Sequence, residues 1–171
     1  CCDDQYAPVI TAICRRLYCI PLAIEMAAAR VATLGLADVA RMLDERFLAL
    51  TAGRRGAVPR QRTLQATLDW SYSLLAERER IVFRRLASFV GGFTLPAAIA
   101  VAEDSTLSHN EVIDAISVLV SKSLLTFDHA ARNSRYRLLE IARAYAQERL
   151  AESGETDAIT QRTSTYFQFA F

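Results

Sequence analysis

In one short stretch of this chain apolar residues alternate with polar ones, as they do in β-strands. In most of the remaining chain apolar residues recur with the period of an α-helix. Leu125 and Phe127 alternate with polar neighbours, and Tyr136 and Leu138 do the same after the turn-rich residues 128–134. Two alternating segments joined by a polar turn predict a hairpin. Because apolar residues elsewhere recur every three or four positions, the sequence predicts a mainly α fold.

The first group of predicted helices covers residues 8–17, 21–33 and about 37–49. Pro21 suits the first position of a helix, where its missing N–H costs nothing. Residues 51–62 contain glycine and proline and are predicted to be a linker between two apolar-patterned regions.

The second group begins at Thr63 and leads into the hairpin. Ser108, with Glu111 three residues later, has the spacing of a capping box and opens a helix with one apolar face. Three helices followed by a two-stranded hairpin is the order of a winged helix. The other predicted segments are a short strand at Phe93–Thr94 and helices over residues 96–102, 139–152 and 156–170.

Composition excludes several classes of protein. The 171 residues carry a net charge of +1, which argues against a strongly basic nucleic-acid binder. The four cysteines lack C-x-x-C spacing and only two histidines are present, so no metal site is predicted. Free thiols suit a reducing cytoplasm, and no apolar run approaches the length of a membrane span. The chain does not begin with Met, and we expect it to be a piece of a larger protein.

The chain also lacks the motifs of a nucleotide-binding or hydrolytic enzyme. None of its six glycines builds G-x-x-x-x-G-K-[ST] or G-x-G-x-x-G, and neither H-E-x-x-H nor G-x-S-x-G occurs. We therefore predict no catalytic residue and no cofactor held by this chain alone.

Residues Ile20 to Arg30 read I-P-L-A-I-E-M-A-A-A-R, which resembles the G-L-P-L-A-I-E-L-A-A-A-R segment of STAND-class (NB-ARC-like) signalling ATPases. The resemblance covers roughly residues 8–155, and in bacteria it is to the large ATPase-type transcriptional regulators. Further matching blocks are residues 43–47, 54–56, 59–64, 69–72, 83–86, 91–94, 119–124 and 136–140.

This resemblance implies a domain order. Residues 1–50 are expected to be the C-terminal part of a small helical domain, 51–62 a linker, 63–140 a winged helix, and 141–171 the start of a tetratricopeptide-like helical array. The implied partners are an upstream nucleotide-binding domain and downstream helical repeats of the same chain, with ATP or ADP bound by the parent protein.

The resemblance also implies positions for a nucleotide site. The family's proline at this place packs against adenine, which assigns that contact to Pro21, although Cys19 stands where the family has glycine. The family's Met-His-Asp nucleotide sensor aligns with Leu138, Leu139 and Glu140. Since leucine cannot donate a hydrogen bond to phosphate, that sensor is expected to be absent. Glu140 is expected to favour the start of the next helix, and an interdomain pairing is the alternative.

Two groups of arginines are candidate phosphate contacts. The predicted wing carries Arg132, Arg135 and Arg137, and the linker carries Arg54, Arg55, Arg60 and Arg62. Arginine binds the phosphates of nucleic acid or of a nucleotide. The alternative, which stays open, is that both groups are solvated surface.

The leading hypothesis is a non-catalytic segment that relays nucleotide state in a STAND-type regulator of transcription. One alternative is a DNA-binding winged helix that holds phosphates through its wing, although the candidate recognition helix, residues 110–121, carries no basic residue. Another is a protein-interaction scaffold built through Ile159, Tyr166, Phe167, Phe169 and Phe171.

Overall fold

A computed structural model describes residues 6–51, 59–128 and 134–169. Nine helices and three short strands lie in these ranges, and the predicted mainly α fold is confirmed. None of these helices combines the length and the apolar character that a membrane crossing requires. In chain order the elements are α1 (Ala7–Arg16), α2 (Pro21–Leu34), α3 (Leu36–Thr51), α4 (Pro59–Ser73), α5 (Glu77–Leu86), β1 (Gly92–Phe93), α6 (Leu95–Ala102), α7 (His109–Ser121), β2 (Thr126–Asp128), β3 (Arg135–Arg137), α8 (Glu140–Ser153) and α9 (Thr156–Phe169).

The chain divides into two compact units, Cys1–Leu74 and Leu75–Phe171. In the first unit α4 packs against α2 and α3, and Trp70 of α4 is 1% exposed in a core formed with α1, α2 and α3. Arg30 is also buried there and donates from Nη2 to the Ser71 carbonyl at 3.2 Å. The buried aromatic ring and the arginine fix α4 to the first unit.

Helix α4 differs from the sequence expectation at its start. It begins at Pro59, inside the predicted linker 51–62, and Thr51 is the last residue of α3. Proline pre-sets the backbone angle of a first helical turn, so a helix can begin at this residue despite the nearby glycines. The second compact unit begins at Leu75, because α4 packs against α2 and α3 in the first unit.

In the second unit, α5 is the central helix and packs against α6, α7 and α8. Its buried face consists of Val82, Phe83 and Leu86, each 0% exposed. Helix α6 packs in turn against α7 and α9. The order α5, β1, α6, α7, β2, β3 contains the three helices and the hairpin that the sequence predicts for a winged helix, with β1 as a third strand.

The predicted capping box at the start of α7 is confirmed. The Glu111 carboxylate accepts hydrogen bonds from the Ser108 backbone N–H at 2.8 Å and from the Ser108 hydroxyl at 2.7 Å. These bonds satisfy a donor that would otherwise be unpaired at the helix end. They determine the residue at which α7 begins.

Candidate nucleic-acid interface

The small sheet has an aromatic face and a polar face. Its strand order is β1-β3-β2, all antiparallel, and Tyr136 pairs with both Phe93 and Phe127. The Tyr136 ring centroid is 6.2 Å from that of Phe93 and 4.7 Å from that of Phe127. Because successive side chains of a strand point to opposite faces, Arg135 and Arg137 project from the other side, and both are exposed.

Arg135 and Arg137 differ from the other described cations of the second unit. Within residues 75–128 and 134–169, neither guanidinium lies at ion-pair distance from a carboxylate. The remaining basic side chains there are held by acidic side chains or by carbonyl groups: Arg78, Arg80, Arg84, Arg85, Lys122, Arg143, Arg149 and Arg162. The two arginines of β3 are therefore available to an outside anion.

The side chain of Arg135 passes beside Gly92 of β1. A Cβ atom placed on Gly92 would lie 3.4 Å from Cδ and 3.6 Å from Cβ of Arg135. Both distances are those of ordinary van der Waals contacts. The aliphatic stem of Arg135 therefore lies close to β1.

Helix α7 buries one face and exposes another. Val112, Ala115, Ile116 and Leu119 are at most 3% exposed and form the buried face. The exposed face consists of residues at the helical spacing i, i+4, i+7 and i+11, namely Asn110, Asp114, Ser117 and Ser121. It has no basic side chain, as the sequence predicts.

Ion pairs hold α7 to α5 near both ends. The Lys122 ammonium lies 2.8 Å from Glu79 Oε2, and Arg78 Nη1 lies 2.7 Å from Glu111 Oε1. Hydrogen bonds from Ser108, together with the charge of Arg78, hold the pKa of the Glu111 carboxyl below its ordinary value. Lys122 is thus committed to the protein, and the charge available for a phosphate lies on the sheet.

The family described as "Winged helix-turn-helix domain" matches residues 75–151. The match begins at the first residue of the second compact unit and includes α5, α6, α7, the whole sheet and most of α8. Residues 75–151 form a winged helix-turn-helix domain. In this domain α7 occupies the place of the recognition helix, and the hairpin that contains β2 and β3 is the wing.

Similar proteins occur in mycobacteria. A Mycobacterium tuberculosis protein named "Putative HTH-type transcriptional regulator" is 50% identical over 167 residues, and a protein of the same name from Mycobacterium bovis has the same identity. An uncharacterized protein of Mycobacterium tuberculosis is 41% identical over 157 residues. These matches cover 98% of this chain for the first two and 91% for the third. The chain spans only 19% of the length of the first two and 40% of the third.

A partly buried charge network joins the winged helix-turn-helix domain to α9. Arg85 donates to Asp104 Oδ2 at 2.7 Å and to Glu155 Oε1 at 2.6 Å, and it also reaches the Ala102 carbonyl at 2.7 Å. Arg84 Nε donates to the other Glu155 oxygen at 2.7 Å. One carboxylate, located between α8 and α9, therefore holds two arginines of α5.

The network lowers the pKa of both carboxyl groups. Burial alone would raise the pKa of Glu155, but hydrogen bonds from Arg85 and Arg84 outweigh it and hold the pKa below its ordinary value. Burial opposes ionisation of Asp104 as well, and hydrogen bonds from Thr106 and Arg85 bring its pKa far below the ordinary range. No local sequence pattern predicts this network, because Arg84 and Glu155 are 71 positions apart.

The residue predicted to contact adenine, Pro21, lies in the first unit. Pro21 is exposed at the first position of α2, directly after Ile20. Cys19 is exposed and has a φ of 52°, and Tyr18 before it has a φ of 51°. These angles belong to the left-handed region that favours glycine, so Cys19 adopts a glycine-like conformation at the place where the resembling family has glycine.

The three residues that align with the family's sensor have different environments. Leu138 is 5% exposed and lies in the core, and Leu139 is the half-buried residue before α8. Glu140 is exposed at the first position of α8 and accepts a hydrogen bond from Arg143 Nη2 at 2.7 Å. That hydrogen bond, with the charge of Arg143, lowers the pKa of the Glu140 carboxyl. Glu140 thus lies at a helix start, where a negative charge is favourable.

Only some of the other predicted phosphate contacts lie among the described residues. Arg54, Arg55 and Arg132 lie outside the described residues. Arg60 and Arg62 lie in the first turn of α4, in the first unit. Arg135 and Arg137 are the two predicted contacts whose side chains can be placed, and β3 carries both.

Proposed function

We propose that this chain takes part in transcriptional regulation and that its winged helix-turn-helix domain binds duplex DNA. The observation that carries the proposal is the pair of exposed arginines on β3, which have no acidic partner among the described residues of this domain. A guanidinium group binds phosphate oxygens through two parallel hydrogen bonds and keeps its charge at any physiological pH. The names of the mycobacterial relatives support the same role.

The spacing of the two arginines suits a DNA backbone. Positions i and i+2 of a strand are about 6.6–6.8 Å apart. Phosphates of one DNA strand recur about every 3.4 Å along the helix axis, so the pair covers roughly two phosphates. The wing then supplies the affinity, while the uncharged or acidic face of α7 contributes none of the phosphate attraction.

Fluorescence anisotropy with a labelled mixed-sequence duplex tests the proposal. We expect the double variant Arg135→Ala, Arg137→Ala to bind at least tenfold more weakly than the wild type at low salt. The matched control is Arg15→Ala, Arg41→Ala, which removes the same charge from exposed positions of α1 and α3 and should bind as the wild type does. Equal weakening in both double variants would mean that net charge and not the wing determines binding.

A second function is favoured by the Arg84–Arg85–Glu155 network. Because Glu155 ties α5 to the connection between α8 and α9, a displacement of α9 would pull on the central helix of the winged helix-turn-helix domain. We propose that this chain relays a conformational change between α9 and the wing. In this role it is the non-catalytic relay segment of a STAND-type regulator, with ATP or ADP bound elsewhere in the parent protein.

Hydrogen exchange of the Glu155→Gln variant tests the relay. Removal of the carboxylate is expected to speed amide exchange in α5 and also in β3 and α7, which Glu155 does not touch. The Glu148→Gln variant, which changes an exposed glutamate of α8, should leave exchange unchanged. Faster exchange confined to residues next to Glu155 would contradict a relay.

The nucleotide contact at Pro21 belongs to the same proposal. The proline ring is exposed at a helix start, which leaves an apolar surface free to pack against a base. The upstream nucleotide-binding domain, the downstream repeats and a cytoplasmic location are further parts of it. A parent protein carrying Pro21→Ala should bind ATP and ADP more weakly by calorimetric titration, and unchanged affinity would remove Pro21 from the site.

A further inference from the structure

The exposed face of α7 contains two side chains whose hydrogen-bonding groups are uncommitted. Ser117 and Ser121 return their hydroxyls to the helix, to the carbonyl groups of Ile113 at 3.0 Å and Val118 at 2.7 Å. Asn110 and Asp114 are exposed, and neither makes a side-chain hydrogen bond or ion pair within the described residues. The stripe therefore offers one amide and one carboxylate to a partner.

These two groups match the edges of particular bases. An asparagine amide pairs in a bidentate manner with N6 and N7 of adenine, and an aspartate accepts from the N4 amino group of cytosine. Residues i and i+4 of a helix are about 6 Å apart along its axis, and one turn of separation brings both to the same groove. Recognition helices contact bases mainly with residues near their N-termini; Asn110 is the second residue of α7, and Asp114 lies about one turn further on.

We infer that Asn110 and Asp114 determine the sequence preference of this domain, with Asn110 reading adenine and Asp114 reading cytosine one to two base pairs away. The inference rests on the proposed DNA-binding function and names its specificity residues. Affinity and preference are then divided between two elements. The arginines of β3 bind the phosphates of DNA of any sequence, and α7 distinguishes one base sequence from another.

The negative charge of Asp114 also affects how strongly the domain discriminates between DNA sequences. A carboxylate in the groove is repelled by the phosphates of every site and is compensated only where a cytosine amino group donates to it. Asp114 therefore weakens binding to unrelated sequences more than binding to the preferred sequence. This raises the ratio of the affinity for the preferred sequence to the affinity for unrelated sequences. Removing its charge should strengthen binding to mixed DNA while reducing that ratio.

The test is selection of duplexes from a randomised pool by the whole chain, followed by affinity measurements on the selected and mixed sequences. Asn110→Ala is expected to lose preference for adenine at one position, roughly a tenfold change, while its affinity for mixed DNA stays within about twofold. Asp114→Asn is expected to bind mixed DNA several times more tightly and to lose preference for cytosine. Matched controls are Gln161→Ala and Glu148→Gln, exposed positions on α9 and α8.

The outcomes separate the inference from the proposed function. If the wild type selects a sequence and both α7 variants select the same one, the inference is wrong and DNA binding stands. If the wild type binds but selects nothing, the inference is also wrong. If the wild type does not bind duplex DNA at all, the proposed function and the inference fall together. Melting curves confirm that each variant is folded, and Asn110→Ser gives a second, smaller change at the same position.

Discussion

Cys19 shows how a single residue can hold a backbone conformation that does not suit it. Its φ of 52° lies in the left-handed region, and the turn is closed by a hydrogen bond from the Cys19 N–H to the Cys14 carbonyl at 2.9 Å. Ser123, after α7, is held in the same region with a φ of 56°. A side chain there costs free energy that glycine avoids. The segment could be recognised as a turn between helices from its sequence, but the positive angles could not, because cysteine and tyrosine rarely adopt them.

The first prediction concerns this residue. Cys19→Gly should raise the free energy of unfolding by about 1 kcal/mol, because the side chain is exposed and its removal relieves the left-handed conformation. Ala12→Gly, at an exposed position inside α1, should lower it by about 1 kcal/mol. Urea denaturation of both variants measures the effect. A decrease in stability in both would show that the turn is not strained.

At the scale of elements, sequence patterns predicted the features that depend on residues close together in the chain. The hairpin followed from alternation, and the start of α7 followed from Ser108 and Glu111, because the interacting groups are close in sequence. The place of α4 could not be predicted in this way, since it depends on Trp70 packing into a core formed by residues of three other helices. The lack of a carboxylate partner for Arg135 and Arg137 among the described residues could not be predicted from the sequence either. It depends on which carboxylates the fold brings near them.

The second prediction concerns the network that joins α5, α6 and α9. The ordinary pKa values of Asp104 and Glu155 are 3.8 and 4.5, and both are lowered in the folded protein. Above about pH 5 both groups are ionised in either state, so the stabilisation is complete. As pH falls below the ordinary values, the unfolded chain takes up protons first, so the free energy of unfolding should fall.

Denaturation between pH 7 and pH 3 measures this effect. Glu155→Gln should lower the free energy of unfolding by roughly 1–3 kcal/mol at pH 7, because two charge-assisted hydrogen bonds are removed. It should also make the decline with acid shallower. The control Glu148→Gln should change stability by less than about 0.5 kcal/mol. An equally steep acid decline without Glu155 would show that other carboxylates are responsible.

At the scale of the whole molecule, the chain consists of two units, each with its own core. The second unit includes all of the winged helix-turn-helix domain together with the helix that Glu155 holds to it. The sequence predicts a linker at 51–62 and a winged helix over 63–140, and the second compact unit begins at Leu75. Linker-like composition at 51–62 marked a change of pattern, whereas the boundary between units is determined by where α4 packs.

The third prediction is that residues 75–171 fold without the first unit. They form one of the two compact units, and their buried side chains include residues of α5 to α9 and of the sheet. We expect helical circular dichroism and a single cooperative thermal transition from the isolated segment. The variant Phe83→Ala, which removes a ring that is 0% exposed, should lower its stability by about 3–5 kcal/mol. A gradual transition would show that the first unit is needed.

The central claim is that β3 holds DNA by its phosphates, and the salt dependence of binding tests it most directly. Each phosphate that the protein neutralises steepens the slope of log binding constant against log salt concentration by about 0.9. The wild type should therefore show a slope about 1.8 steeper than that of the Arg135→Ala, Arg137→Ala variant. Identical slopes would contradict the claim, because the two arginines would then neutralise no phosphate.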